Sequence, residues 1–411
     1  MNLSKTIKRL TIKSYDSAIF FYNRARMYYY FYTSILKRQL VLGRRIEKIL
    51  VVRLASIGDV VRATAVVKAL KEKYPQATIY FLTTRTALPV LKNNPRLNRI
   101  YTLEDLYSLP TYDWVINLQR VAFPPNFLEG IDLTFEEILK HLSVNVSYEL
   151  ITGRHFRHGR DRSHVNLFHC RTELEELFFS ALLPYSDERV ADTEIAVDAN
   201  NGGALERFGL VSEEKYLGIF LGSNSIGGDD NGQRSYSLEF VERLADHFSS
   251  DFTIVIVGQS NYKTPEEREC YKAFLKRHPN IIDLVDKTTL EELVLVISAL
   301  RLFICCDSGP LHIAMAVGTP VIGLYVNAAS FRIAPQLRGQ KYALINSFKV
   351  CFDFSWRWKF HCLACPEWHS NIYSCNLKSI DRKVDKIALQ EIVTEAFNLL
   401  EKAQGSKCEF K

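Results

Sequence analysis

Short apolar runs separated by amphipathic stretches set the rhythm of this chain from Lys48 onward. Lys48-Ile49-Leu50-Val51-Val52 is a β-branched run of the kind that fills a buried parallel strand. Behind it, Val60, Ala63, Val67 and Leu70 recur at spacings of three and four, while Lys68, Lys71, Glu72 and Lys73 lie mostly off that face. That pattern predicts a helix beginning at Val60 and ended by Pro75, with Thr78–Leu82 as the next strand. The same alternation predicts strands near 49–53, 78–82 and 113–118, then near 216–221, 252–257 and 302–306, each followed by a helical pattern. Strand and helix in alternation imply the α/β class with doubly wound parallel sheets. The strands fall into two groups, and Asp192 to Gly209, with Asn200-Asn201-Gly202-Gly203 inside it, reads as the linker. A chain of 411 residues, 47% hydrophobic, can fill two cores. The domains expected are an extension over 1–47, an N-terminal domain over 48–195 and a C-terminal domain over 210–400.

Two turns carry candidate chemistry. Asp307-Ser308-Gly309-Pro310-Leu311-His312 follows the strand run Leu302–Cys306 and opens a small-residue helix closed by Gly318 and Pro320. A strand feeding a helix through such a turn leaves free backbone N–H groups at the positive end of the helix dipole, a seat for phosphate. Arg53-Leu54-Ala55-Ser56-Ile57-Gly58-Asp59 follows the first strand, so Gly58 and Asp59 lie where open α/β sheets place ligands. Taken alone, Asp59 reads as a helix cap before it reads as a catalytic acid. No G-x-G-x-x-G is present, so the dinucleotide fingerprint is absent.

R-L-A-S-I-G-D-V-V-R-A-T (53–64) resembles the opening signature of the ADP-heptose:lipopolysaccharide heptosyltransferases, glycosyltransferase family 9. Asp307–Pro320 resembles the family's D-S/T-G-x-x-H motif and the helix behind it. Tyr112–Gln119 is similar to the strand before the acceptor region, and Asn280–Thr289 with the helix Leu290–Leu300 to the element leading into the D-S-G strand. The resemblance spans roughly 48 to 400, loosely from 120 to 210, and leaves out 1–47. It implies two Rossmann-like domains facing across a cleft, the GT-B arrangement. It also implies inverting transfer of a heptose from ADP-heptose to a lipopolysaccharide inner-core acceptor. Asp59 matches the general base. Ser56, Gly58, Gly222, Ser223, Asp307, Ser308, Gly309, Leu311 and His312 match donor-binding positions. Gln233 to Phe240 resembles the family's K-x-W-P element, with Arg234 at the lysine position, Tyr236 at the tryptophan and Ser237 at the proline. Arg234 is thus a second catalytic candidate, meeting charge on the leaving diphosphate, although Arg and Lys are not interchangeable. The inserted Gly227–Gly232 lengthens this loop and leaves the donor's identity open. Arg62, and Arg157 with Arg160 in the basic, aromatic segment 155–162, are the acceptor-side candidates.

Charge sharpens the picture of the extension. Residues 1–48 hold eleven Lys and Arg against Asp16 and Glu47, nine of net positive charge, whereas the whole chain is +6 and the remainder therefore −3. Phe20-Phe21-Tyr22 and Met27–Tyr32 interleave with those cations. Such a segment suits the surface of anionic lipid; packing on the protein, or a disordered arm, is the alternative. No export signal and no span of the bilayer is read there, so the expected location is cytoplasmic, peripheral on the cytoplasmic face of the inner membrane. With the basic excess confined to this aromatic arm and no recognition motif beside it, nucleic acid is not an expected partner. Cys351, Cys362, Cys365 and Cys375 form C-x10-C-x2-C-x9-C, a candidate structural zinc site with only one C-x-x-C hinge. No D-x-D pair is placed to hold a diphosphate-bound metal, and the resemblance implies transfer that requires no metal. Rival readings are a transferase using another sugar nucleotide for a different surface glycan, and a non-catalytic lipid- or nucleotide-binding scaffold.

Overall fold

The computed structural model describes residues 46–102, 104–105, 109–110, 112–118, 174, 177–178, 181, 183–197, 202–211, 214–222, 237–260, 265–325, 341–346 and 387–405. Within them lie two parallel sheets. The first is built from β1 (Lys48–Val52), β2 (Thr78–Leu82), β3 (Arg99–Tyr101) and β4 (Trp114–Asn117), in the order β3-β2-β1-β4. The second is built from β5 (Tyr216–Phe220), β6 (Thr253–Val257), β7 (Ile282–Asp283), β8 (Leu302–Cys306), β9 (Val321–Tyr325) and β10 (Tyr342–Asn346), in the order β10-β9-β8-β5-β6-β7. Read from β7, that is the doubly wound order 3-2-1-4-5-6, and the first sheet repeats its opening four strands. In each sheet the winding reverses beside its first strand, between β1 and β4 and between β5 and β8, so a crevice opens at those carboxyl ends. The α/β, GT-B-like expectation holds.

The helices that matter most are α1 (Ile57–Lys73) and α6 (Gly309–Val317); between them in sequence come α2 (Gly202–Arg207), α3 (Leu238–Phe248), α4 (Pro265–Arg277) and α5 (Leu290–Ala299), and α7 (Leu389–Gly405) closes the chain. Helix α1 is buried well beyond the predicted stripe: Val61, Ala65, Val66 and Ala69 are covered along with Val60, Ala63, Val67 and Leu70. The reason is that α1 has two apolar neighbours, its own sheet and α6 from the other half. It begins at Ile57 rather than Val60. Ser56, extended, is its N-cap residue, and its carbonyl takes the N–H of Val60 at 3.1 Å. Gly58 and Asp59 therefore belong to the first helical turn, and Asp59 is not the cap. Gly318 ends α6 in the left-handed region at φ 78°, as its position predicts. Thr289 and Glu292 form a capping box on α5.

The first part of the predicted linker is pinned to the N-terminal half. Lys68 pairs with Asp192 at 2.5 Å, the Glu194 N–H donates to Thr64 Oγ1 at 2.9 Å, and Glu194 also pairs with Arg96. Among the described residues, no helix is long and apolar enough to cross a membrane.

Candidate active site

Both predicted turns lie at the carboxyl ends of strands beside a reversal point, one in each sheet, and the fold brings them into contact. A Cβ on Gly58 would stand 2.3 Å from Cδ2 of His312, and one on Gly309 would stand 3.3 Å from Cβ of Ile57. Only a hydrogen side chain at 58 lets the first turn of α1 lie against the first turn of α6. The amino ends of two helices thus meet at one point, each bringing positive dipole potential and unsatisfied N–H groups. An anion is the ligand such a junction favours.

Asp59 follows Gly58 in the first turn of α1, with 23% of its side chain exposed. Arg62 Nη2 donates to its Oδ1 at 2.6 Å and Arg53 Nη2 donates to the same oxygen at 2.8 Å; Ser56 Oγ donates to Oδ2 at 2.8 Å. Burial by itself would raise the acid's pKa, but the charges of Arg53 and Arg62, helped by the Ser56 and Arg62 hydrogen bonds, overcome it and hold the carboxyl well below the usual carboxylate range. Asp59 is ionised throughout the physiological range. Arg53 was missed by sequence reasoning. It closes an apolar strand just before the glycine–acid turn, and another of its guanidinium nitrogens donates to the Leu118 carbonyl at the end of β4. The sequence shows only an arginine at the end of an apolar strand; its burial, 4% exposed, is visible in the fold alone.

On the other side, Asp307 follows β8, and its N–H donates to the Leu324 carbonyl at 3.3 Å. The Ser308 hydroxyl turns inward, donating to the Cys306 carbonyl at 3.0 Å, so this residue presents backbone rather than its hydroxyl to a ligand. Leu311 is fully buried and can offer only its backbone, whereas the His312 ring, 6% exposed, lies over Gly58. Gly222 follows β5 at φ 144°, a conformation open to glycine. The crevice beside the junction is lined by Arg62, His312, Met315, Val190 and Thr193. Cys305 and Cys306 are buried in β8 as free thiols, as the apolar run suggests. Ser223, Arg234, Arg157, Arg160 and the four cysteines Cys351, Cys362, Cys365 and Cys375 lie outside the described residues, as does the extension up to residue 45. Among the described residues, no group of three or more His, Cys, Asp or Glu could hold a metal ion.

Residues 234–353 match the model of glycosyltransferase family 9 (heptosyltransferase). The lipopolysaccharide core heptosyltransferase OpsX of Haemophilus influenzae is 24% identical over 300 residues, covering 70% of this chain and 82% of that protein. Two solved structures share the fold over 87% of this chain and 99% of theirs. They are the glycosyl transferase family 9 protein of Veillonella parvula, with TM-score 0.58 and 16% identity, and the ADP-heptose LPS heptosyltransferase II of E. coli, with TM-score 0.51 and 18% identity.

Proposed function

We propose that the chain is a glycosyltransferase of family 9 that moves a heptose from ADP-heptose to the inner core of a lipopolysaccharide acceptor. The observation that carries this reading is the contact of the Gly58–Asp59 turn with the Ser308–His312 turn across the two halves. In that arrangement the diphosphate sits on the N–H groups at the head of α6, where dipole and donors meet the charge that develops on the leaving oxygens. Asp59 takes the proton of the acceptor hydroxyl while that oxygen bonds to the anomeric carbon. The bond from the same carbon to the diphosphate breaks, and its electron pair leaves with ADP. Attack opposite the leaving group inverts the anomeric centre. On this reading Arg234 supplies positive charge for the diphosphate, and Arg62, Arg157 and Arg160 supply it for the anionic acceptor. The reading needs no metal in the transfer step, and it leaves any zinc at the four cysteines a structural role.

The test is acceptor-dependent release of nucleoside diphosphate by the purified full chain, over a panel of sugar nucleotides, with and without EDTA. ADP-heptose should give the largest kcat/KM, undiminished by EDTA. A preference for another sugar nucleotide would move the chain to a different surface glycan, and no release with any of them would leave a binding scaffold.

The reading also places the enzyme on the cytoplasmic face of the inner membrane, held by residues 1–47. Eight net positive charges with interleaved aromatics should bind anionic vesicles, and binding should weaken with salt, since exposed charge is screened over about 10 Å at 0.1 M. Removing 1–47 should abolish vesicle binding and spare activity on a soluble acceptor fragment. Loss of the cooperative melt on truncation would instead make the extension part of the fold.

A further inference from the structure

The role given to Asp59, on which this inference rests, meets an obstacle in the geometry. A carboxylate is an effective proton acceptor when an oxygen is open and its pKa lies near the working pH. Here Oδ1 already receives N–H groups from two arginines, and Oδ2 receives a hydroxyl. The side chains of Arg53 and Arg62 are only 5% and 9% exposed, so their charge acts with little screening. Held in this way, Asp59 is a stable anion and a feeble base.

The two arginines are held differently. Arg53 is fixed at the end of β1: its N–H donates to the Leu82 carbonyl, its carbonyl accepts from Thr83 Oγ1 at 3.1 Å, and its guanidinium also grips the Leu118 carbonyl. Three strand ends hold it. Arg62 comes from α1, one turn beyond Asp59, and it lines the crevice together with His312 and Thr193. Arg62 is thus the arm that a ligand entering the crevice meets. Among the described residues, the other charged or titratable groups near Asp59 belong to Arg53 and, from α6, to His312 over Gly58; Asp192, between the lining residues Val190 and Thr193, pairs with Lys68 and Arg189.

We propose that Arg62 is a positioning residue that exchanges Asp59 for an anionic group of the acceptor, so that Asp59 becomes a base only once the acceptor is seated. A carboxylate or phosphate of the acceptor matches the guanidinium fork as well as Asp59 does. With Arg62 drawn away, Oδ1 keeps Arg53 for orientation and gains room for the hydroxyl proton. Base activation is thereby tied to recognition, and an acceptor without the anion would bind beside a carboxylate that stays locked.

The experiment compares two soluble acceptors that differ only in one anionic group, the free carboxylate and its methyl ester, in the full-length wild type and in Arg62→Met, with ADP-heptose as donor. For the wild type, the ester should lose kcat by ~10²-fold, beyond any rise in KM. In Arg62→Met the preference should collapse to within about threefold, because Asp59 is then partly released for either acceptor. A wild-type ester that changes KM alone would make Arg62 an ordinary binding residue and overturn the proposal; that measurement needs no variant, so poor folding of Arg62→Met cannot obscure it. The donor diphosphate is the other anion with the chemistry to pair with Arg62. ADP affinity measured by calorimetry should be the same in Arg62→Met and wild type, and a loss beyond about tenfold would assign Arg62 to the donor and overturn the acceptor mechanism. Absence of heptose transfer to either acceptor by the wild type would overturn the functional reading and this proposal with it, whereas transfer with equal kcat would overturn this proposal alone.

Discussion

Asp59→Asn should lower turnover by ~10²-fold or more while ADP affinity barely changes. Asparagine keeps the size of the side chain and an oxygen for the arginine N–H groups, but it cannot take a proton. Stability should respond as well, in a pH-dependent way. The folded-state pKa of Asp59 is depressed by Arg53 and Arg62, so the stabilisation is fully present above the unfolded carboxylate pKa of about 3.9. It is lost as pH falls below that value toward the lower folded pKa. The acid-unfolding limb of the wild type below about pH 4 should therefore be shallower in Asp59→Asn, while at neutral pH the variant should melt earlier than the wild type. Unchanged turnover would leave Asp59 a structural anion that merely holds two arginines.

Gly58→Ala should be nearly as damaging, through packing. The added methyl would fall 2.3 Å from His312 Cδ2, well inside contact distance, at a point where Gly58 and His312 are both buried. Relief requires that the ring rotate out of its slot or that α1 and α6 separate. Overpacking of this kind costs about 1–3 kcal/mol, and here it also separates the carboxylate from the helix end that seats the diphosphate. kcat/KM should fall by ~10²-fold, since a displacement of about an ångström has that effect on a positioned reaction. Steady-state kinetics with a thermal melt on the same preparation separates the two contributions.

Much of this arrangement was legible in the sequence because parallel strands covered on both faces read as continuous apolar runs. Lys48–Val52, Thr78–Leu82 and Leu302–Cys306 were placed correctly for that reason. Of the four strands that escaped notice, Arg99–Tyr101 and Ile282–Asp283 are sheet edges of three and two residues, too short to carry a period, and Tyr342–Asn346 is the other edge of the second sheet. Val321–Tyr325 was hidden behind Pro320, which reads as the end of a helix rather than the approach to a strand. The start of α1 was set three residues late because Ile57-Gly58-Asp59 looks like a turn, and the bond that makes it helical is a backbone one to Ser56. The two motifs could be found separately from their glycines and acids. Their contact could not, since Gly58 and His312 are brought together only by the packing of α1 on α6. Arg53 stayed silent for a similar reason, because its meaning depends on the Leu118 carbonyl, 65 residues away.

The Gly58–Asp59 turn and the Ser308–His312 turn form one site. A double-mutant cycle of Gly58→Ala with His312→Ala, read as unfolding free energy, measures that contact without depending on any catalytic part His312 plays. The smaller side chain at 312 vacates the space that the new methyl needs, so the double variant should recover most of the stability lost in Gly58→Ala, with a coupling of about 1 kcal/mol or more. Additivity within about 0.5 kcal/mol would mean that the two turns do not touch, and would contradict the account.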